Sequence, residues 1–209
     1  ENSRYSQFLD LEGDATLKPA GWDAIQKALP AHKDISLYEG HIRDFSQNDD
    51  SVAVADRGKY LAFGYNGVDG APLSNGMAHL IGLQQAGLSH FHLLPVFDIS
   101  SINEDVTARV DIADPFSRLC AMSTDTAVQS RCAAEGDTPI RDVLESMKLA
   151  DPSTADIQAI VDAMNELDSF NWGYDPFHFN APEGSYASAT DGATRVIEFR
   201  EMVKGLDEV

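Results

Sequence analysis

Two histidines, His90 and His92, stand at alternate positions of an apolar stretch of the chain. Alternate residues of a strand point to the same face, so the pair has the spacing of two metal ligands. No third ligand follows at a typical spacing, and strand histidines are more often hydrogen-bonded parts of the structure. The pattern favours a structural pair and predicts no metal site, with a metal-dependent enzyme as the alternative.

Carboxylates inside apolar runs are the next candidates, because a desolvated carboxylic acid can serve as a general acid. Glu39 lies in such a run, and no partner acid is visible beside it. We therefore interpret Glu39 as a hydrogen-bonded structural residue. Arg43 and Asp44 are expected to pair with each other in a structural role. No catalytic residue is predicted in this chain.

The two cysteines, Cys120 and Cys132, lie in a mostly small and polar stretch at residues 119–136 that reads as a loop. A bond between them would close a small ring and stabilise the fold by about 2–3 kcal/mol. No histidine is near and the spacing is wider than CxxC, which disfavours a metal site. The sequence favours a disulfide over two free thiols, and a disulfide suits an oxidising compartment.

A strand–helix–strand order precedes these cysteines. Residues 35–45 are predicted as a strand, Ser74 as the cap of a helix that Gly87 ends, and His90–Phe97 as a second strand. The second strand is apolar enough to be covered on both faces, as parallel strands are. The order predicts a βαβ unit in an α/β fold.

A long detour comes after the second strand, at about residues 98–189, far beyond ordinary loop lengths. One helix is predicted to start with Thr138 as cap and Pro139 at its first position, and another spans about Ser153–Leu167. An aromatic cluster lies next, at residues 170–179. Thr190 is predicted to cap a last helix with an apolar stripe formed by Val196, Phe199, Val203 and Leu206.

The composition is that of an ordinary globular protein, with 43% apolar and 23% charged residues among 209. A net charge of −19 argues against nucleic acid and anionic membranes as partners, and it is compatible with a neutral sugar polymer. No stretch approaches the roughly 18 apolar residues of a membrane span. Glu1–Leu11 lacks the basic and apolar regions of a signal peptide, so if the protein is exported its signal is expected upstream of Glu1.

Three motifs resemble those of one enzyme family, the type I pullulanases and limit dextrinases. Tyr38–Ser46 reads YEGHIRDFS and resembles their first barrel strand; Phe170–Pro176 reads FNWGYDP and is similar to their signature YNWGYDP, departing only at Phe170. Residues 182–187, 191–192 and 195–203 resemble the family segment directly after that signature, and His92–Pro95 fits the second strand. The resemblance extends from about Tyr5 to the end of the chain.

The resemblance implies a debranching glycoside hydrolase of the α-amylase superfamily that cleaves α-1,6 linkages in pullulan, starch or glycogen with retention. One carboxylate attacks the anomeric carbon and a second, about 5 Å away, protonates the leaving oxygen. The family places its acids after the fourth, fifth and seventh strands of a (β/α)8 TIM barrel. Residues 34–209 are therefore expected to form the first part of such a barrel, after a linker at 1–33, and to be inactive without the remainder of the domain.

The same resemblance suggests residues that contact the sugar. It implies that Tyr174 stacks on the glucose ring at the cleaved bond, where an aromatic face suits the C–H side of the sugar. Asp175 has two candidate roles, to accept a sugar hydroxyl or to orient its neighbours, with a turn aspartate before Pro176 as the alternative. Trp172 is expected to support the loop more than to touch glucan. His92, near the end of its strand, is expected to approach the active face.

The chemistry implied by the resemblance requires no cofactor, although the family allows bound calcium. The expected partner is an α-glucan, with no nucleic acid and no membrane span, and the expected location is extracellular, cell-surface or periplasmic. A non-catalytic glucan-binding module is the alternative from another functional class.

Overall fold

The computed structural model describes residues 6–25 and 30–209. By its internal contacts the chain divides into two compact units. The outer unit consists of the described residues up to Ser101 together with Asn171–Val209, and the inserted unit is Ile102–Phe170. Residues 1–5 and 26–29 of the predicted linker lie outside the described residues, and the predicted limits of the linker and of the detour stay predictions.

The described residues form short strands and mostly short helices. The strands are β1 (Leu37–Gly40), β2 (His90–Leu93), β3 (Phe97–Ile99) and β4 (Pro176–Pro182). The α-helices are α1 (Ile42–Ser46), α2 (Asn75–Gln85), α3 (Phe116–Met122), α4 (Thr126–Gln129), α5 (Cys132–Glu135), α6 (Ile140–Ala150), α7 (Ala155–Asn165) and α8 (Gly192–Asp207). Single 3-10 turns lie at Ala15–Leu17, Trp22–Ala24, His32–Asp34, Val54–Asp56, Tyr60–Gly64, Val68–Gly70, Val106–Ala108 and Gly184–Tyr186. None of the described helices has the length and apolar character needed to cross a membrane.

β1 and β2 form a parallel pair with α2 between them in the chain, which confirms the predicted βαβ order. The register places Leu37 beside His90 and Gly40 beside Leu93. Both strands are shorter than predicted, and His92 is exposed, so the cover expected on both faces of β2 is not found among the described residues. The described sheets have two strands each, and the partial TIM barrel stays a prediction.

The second half of the predicted first strand is wrong, because residues 42–46 form helix α1. His41 stands before this helix in an extended conformation, and its imidazole Nδ1 accepts the backbone N–H of Asp44 at 3.3 Å. A side-chain acceptor at this position satisfies an N–H group that the first helical turn leaves unpaired. The histidine therefore ends the strand and starts the helix.

A second sheet is formed by one strand from each of the two chain segments of the outer unit. β3 pairs antiparallel with β4, and the partner of Phe97 is Pro182. Phe97, predicted at the end of the second parallel strand, therefore belongs to this other sheet. The buried carboxylate of Asp98 lies 2.7 Å from Nδ1 of His178, which ties the two strands together by their side chains as well.

Both predicted ends of α2 are confirmed. The Ser74 hydroxyl accepts the Met77 N–H at 3.2 Å at the start of the helix. At its end Gly87 has φ +106°, and the Leu88 N–H donates to the Leu83 carbonyl at 2.9 Å. A glycine in this conformation closes a helix without the steric penalty of a Cβ.

Asp49 provides a second cap for α2 and yields a pH prediction. Burial raises the pKa of Asp49, but hydrogen bonds from Ser51, from the Gly76 N–H and from the Asn75 amide outweigh it and lower the pKa to about 2. The unfolded carboxyl titrates near its ordinary value, so the stabilisation is complete above about pH 4 and is lost as the pH falls through about 2.

We expect Asp49→Asn to lower the free energy of unfolding by about 1–2 kcal/mol at pH 7, after solvent screening is allowed for. Urea denaturation of both proteins between pH 7 and pH 2 measures this difference. The difference should shrink toward pH 2, where the wild-type carboxyl takes up a proton. A difference that stays constant over this range would show that the charge of Asp49 does not matter.

α8 begins one residue later than the predicted cap, Thr190, would place it. The cap is Asp191, whose carboxylate accepts the N–H groups of Ala193 and Thr194 at 3.0 and 2.9 Å. A carboxylate at this position also faces the positive end of the helix dipole, which favours it over a threonine hydroxyl.

The buried face of α8 is partly polar. The four residues of the predicted apolar stripe are only half-buried, whereas Arg200 is buried and donates to the carbonyls of Leu11 and Leu17 at 3.1 and 2.9 Å. Lower on the same helix, a Cβ added to Gly205 would lie 2.5 Å from the Phe63 carbonyl oxygen. The helix thus packs closely against the Tyr60–Gly64 turn.

The inserted unit has its own hydrophobic core. The core is formed by Val110, Phe116, Leu119, Val128, Ile140, Val143, Met147, Ile160 and Met164. The disulfide between Cys120 and Cys132 is confirmed, and it joins α3 to α5. The stretch around it is helical, so the predicted loop at residues 119–136 is wrong.

Two helices of the inserted unit agree closely with the sequence prediction. α7 begins after Thr154 and lies within the span predicted for it. α6 begins one residue later than predicted, because Pro139 is its extended cap rather than its first residue. The N–H groups of Ile140 and Arg141 donate to the carbonyls of Asp114 and Ile112 instead of to a threonine cap.

Candidate functional site

The aromatic segment Asn171–Pro176 connects the inserted unit to β4 and is held by its own asparagine. The Asn171 amide Nδ2 donates to the Ser101 hydroxyl at 2.7 Å, and its Oδ1 accepts the Gly173 N–H at 2.7 Å. The Asn171 side chain therefore stabilises the turn of the segment. It also binds the segment to Ser101, the last residue of the first part of the outer unit. This contact brings residues 101 and 171 to adjoining positions.

Gly173 brings the backbone of this segment close to Pro95. It has φ +84°, a conformation that L side chains rarely adopt. A Cβ at this position would lie 2.4 Å from the carbonyl oxygen of Pro95, just after β2. Only glycine fits both constraints, which accounts for this residue in the FNWGYDP motif.

Asp175 fastens the other end of the segment. Its backbone carbonyl accepts the Ser100 N–H at 3.0 Å. Its carboxylate Oδ2 accepts the Ser100 hydroxyl and the Ser101 N–H, each at 3.1 Å. Of the two roles considered for Asp175, this geometry supplies the orienting one, and a contact to a sugar hydroxyl stays a prediction.

The rings of the segment face outward between these anchors. Tyr174 is 71% exposed and Trp172 is 54% exposed, although Gly173 between them is buried. Trp172 also meets the His41 ring edge to face, with the ring centres 6.1 Å apart. A fixed backbone that presents an exposed aromatic face is the arrangement that sugar stacking requires.

His41 connects the start of α1 to this segment. Its Nε2 lies 2.7 Å from the Asn171 carbonyl oxygen and 3.1 Å from the Tyr186 hydroxyl. The side chain of His41 is 4% exposed. The YEGHIRDFS and FNWGYDP motifs, far apart in the sequence, therefore meet through this histidine.

The buried carboxylate of Glu183 connects β3 to the turn that follows β4. Glu183 accepts the Ile99 N–H at 2.6 Å and the Ser185 N–H at 2.8 Å, and its backbone carbonyl accepts the Tyr60 hydroxyl. Burial, together with the charge of Glu183, raises the pKa values of Tyr60 and Tyr186 well above the ordinary range. Both phenols therefore keep their protons and act only as neutral hydrogen-bonding groups.

The histidines of β2 have separate partners. His92 Nδ1 lies 3.3 Å from a carboxylate oxygen of Glu39, its neighbour in the parallel register. His90 Nδ1 lies 2.9 Å from the Ser89 hydroxyl. The described residues place no group of three metal-ligand atoms around either histidine. The sugar contact expected of His92 stays a prediction, since the contact seen for this side chain is with Glu39.

Sequence reasoning missed the anchors of the aromatic segment. Ser100 and Ser101 carry no pattern that marks them, and His41 and Pro95 stood out only as members of family motifs. A single clue was available, since the glycine and asparagine of FNWGYDP are residue types that turns select. The clue indicates a turn but not the surface on which the turn rests.

Comparison with known proteins gives similarity to one kind of enzyme along nearly the whole chain. The sequence-family model described as the Pullulanase Ins domain matches residues 99–170. The chain is 40% identical to a pullulanase of Klebsiella pneumoniae and 34% identical to pullulanase 1, chloroplastic, of Arabidopsis thaliana, over 99% of the chain in each case. A crystal structure of K. pneumoniae pullulanase complexed with maltotriose superposes on 97% of the chain with a TM-score of 0.83 and 40% identity.

The homologous region is a small part of these relatives. The chain spans 19% of the length of both curated pullulanases and 19% of the chain in the maltotriose complex. The chain is thus homologous, along nearly its whole length, to one region of pullulanases.

Proposed function

We propose that this chain is the part of a debranching glycoside hydrolase that holds a glucose residue of an α-glucan beside the α-1,6 bond to be cleaved. Tyr174 supplies the stacking surface, and the Asn171–Asp175 frame fixes its position. The observation that carries the proposal is the exposed ring of Tyr174 on a backbone anchored at both ends, in a chain homologous to pullulanases. Pullulan, starch or glycogen is the proposed substrate class.

The bond-breaking acids belong to the rest of the proposed parent enzyme. In that enzyme β1, α2 and β2 begin a (β/α)8 barrel, and the carboxylate nucleophile and the acid lie on later strands. The retaining mechanism supplies the chemistry, whereas this chain supplies binding and orientation. We therefore expect the purified chain to release no reducing sugar from pullulan, and measurable release would contradict the proposal.

Tyr174→Ala should weaken maltotriose binding about tenfold, because it removes a stacking surface worth roughly 1–2 kcal/mol. Tyr174→Phe should bind within about twofold of the parent, since the ring face is retained. Isothermal titration of maltotriose into the three proteins measures the difference. Equal affinities for the alanine and parent proteins would remove Tyr174 from the site.

A matched control separates stacking from a general loss of apolar surface. Leu149 is 87% exposed on α6 in the inserted unit, so Leu149→Ala deletes exposed apolar atoms without touching the aromatic segment. We expect its affinity for maltotriose to equal that of the parent. A drop of the same size in both alanine variants would mean that sugar binding does not depend on this site.

A glucan-binding module without catalysis is the competing function. This hypothesis predicts the same affinity for sugar, but no hydrolysis by the polypeptide that naturally contains this sequence. Pullulan hydrolysis by that complete polypeptide, with and without Tyr174→Ala, separates the two. A debranching enzyme should lose activity with the variant, whereas a module should show no hydrolysis at all.

Export is part of the proposal, and the disulfide supports it. A bond between Cys120 and Cys132 persists in oxidising surroundings such as the periplasm, the cell surface or the medium. An extracellular glucan also requires an enzyme outside the cytoplasm. Bound calcium stays a prediction from the resemblance, and no residue of the chain is assigned to it.

A further inference from the structure

We propose that His41 is a positioning residue for the sugar site: its imidazole, fixed in one tautomer by the helix that it caps, holds the Asn171 carbonyl and thereby sets the direction of the Trp172–Tyr174 rings. The inference rests on the proposed function for its consequence in sugar binding. The positioning itself is a property of the protein without sugar.

The helix cap determines which nitrogen carries the proton. The Asp44 backbone N–H points at Nδ1 at 3.3 Å, and an N–H group donates only to a nitrogen with a free lone pair. The neutral imidazole therefore has its proton on Nε2. Asp44 is fixed in the first turn of α1, so the chain itself selects the tautomer.

The proton on Nε2 of His41 points at the aromatic segment. Nε2–H donates to the Asn171 carbonyl at 2.7 Å, across a sequence separation of 130 residues. This carbonyl belongs to the peptide group that joins Asn171 to Trp172. Because a peptide group is planar, fixing the direction of this carbonyl fixes the plane of the group and with it the position of the Trp172 Cα.

The histidine itself is held by neighbouring rings. Tyr186 meets it edge to face, with ring centres 5.8 Å apart and planes at 88°, and Trp172 closes another side. The Tyr186 hydroxyl lies 3.1 Å from Nε2 and stays protonated because burial raises its pKa. A buried imidazole between two rings cannot turn without displacing them, so its hydrogen bond to Asn171 is a rigid tether.

His41 holds the segment at a different atom from the other anchors, the backbone carbonyl of Asn171. Asp175 fastens the far end of the segment to Ser100 and Ser101, and Gly173 rests on Pro95. Within the segment, the Asn171 Oδ1 accepts the Gly173 N–H at 2.7 Å, and His41 adds a hydrogen bond from outside to the carbonyl that precedes Trp172. Preorganisation of this kind lowers the entropy that sugar binding must overcome.

Two substitutions each retain one of the two hydrogen bonds of His41 and remove the other. His41→Asn retains an oxygen near the Nδ1 position that can cap α1, but it is too short to reach the Asn171 carbonyl. His41→Gln places an amide N–H near the Nε2 position and can keep the tether, but it lacks the cap. Both are made in a Trp22→Phe background, so that Trp172 becomes the single tryptophan of the chain.

We expect His41→Asn to keep the melting temperature of the background protein while Trp172 becomes more mobile. Its fluorescence anisotropy should fall, acrylamide quenching should increase, and maltotriose affinity should drop about tenfold. His41→Gln should melt at a lower temperature and keep the Trp172 signals and most of the affinity. Unchanged Trp172 signals in His41→Asn, or equal losses in both variants, would overturn the proposal.

A measurement on the unsubstituted protein completes the test. The ¹⁵N chemical shifts of the His41 ring distinguish the two neutral tautomers, and we expect the Nε2–H form; the Nδ1–H form would overturn the proposal even if neither variant folds. Failure of the proposed function has a different signature. In that case the parent protein would not bind maltotriose, while the Trp172 signals would still respond to His41→Asn.

Discussion

Gly173→Ala should weaken maltotriose binding about thirtyfold and lower the free energy of unfolding of the outer unit by about 2–4 kcal/mol. Two costs add at this position. An alanine at φ +84° has a conformational penalty, and its Cβ would lie 2.4 Å from the Pro95 carbonyl oxygen and 3.0 Å from the Pro95 Cβ. Because the obstacle is backbone, the FNWGYDP segment has to lift away from Pro95, and the Tyr174 ring moves with it.

Gly70→Ala is the matched control for the conformational penalty. Gly70 has φ +88°, close to that of Gly173, but nothing lies within 4 Å of an added Cβ. We expect a loss of about 1–2 kcal/mol in stability and no change in sugar affinity. Urea denaturation and maltotriose titration of both variants measure the two effects. Equal stability losses would mean that the contact with Pro95 contributes nothing.

Removal of the disulfide should have an effect of similar size, confined to the inserted unit. Closure of the ring between Cys120 and Cys132, which are 12 residues apart, contributes about 3 kcal/mol in the chain-entropy view. A unit of about 70 residues has a small core, so this is a large share of its stability. The double variant Cys120→Ala, Cys132→Ala should therefore unfold locally at lower urea concentration.

Hydrogen exchange locates this effect. Amides in α6 and α7, on both sides of the core, should exchange faster in the double variant, whereas those of α2 in the outer unit should keep their wild-type rates. Dithiothreitol should reproduce the result in the wild-type protein and leave the variant unchanged. Faster exchange throughout the chain would contradict a stabilisation that is local to the inserted unit.

The features that sequence reasoning predicted well depend on neighbours along the chain. Ser74 caps α2 through Met77, three residues away, and Gly87 ends it through contacts within five residues. The two cysteines are also close in sequence. Such short-range chemistry is visible in the order of residues alone.

The features that it predicted poorly depend on distant partners. Residues 42–46 continue an apolar pattern that suits a strand, but His41 ends the strand with a side chain whose other nitrogen is bonded to Asn171. β3 and β4 are separated in the sequence by the whole inserted unit, so no short turn between them indicates that they pair. In the candidate site, family likeness selected Tyr174, whereas its frame on Ser100 and Ser101 required the fold.

The contact between Asn171 and Ser101 has a consequence for how this part of the protein can diversify. The polypeptide leaves the outer unit and returns to it at points joined by one hydrogen bond of 2.7 Å. The entropy of closing the excursion between them grows only slowly with its length. We therefore expect changes in the length of the excursion to carry only a small cost in closure entropy, so that its size can vary while Tyr174 beside it keeps its place.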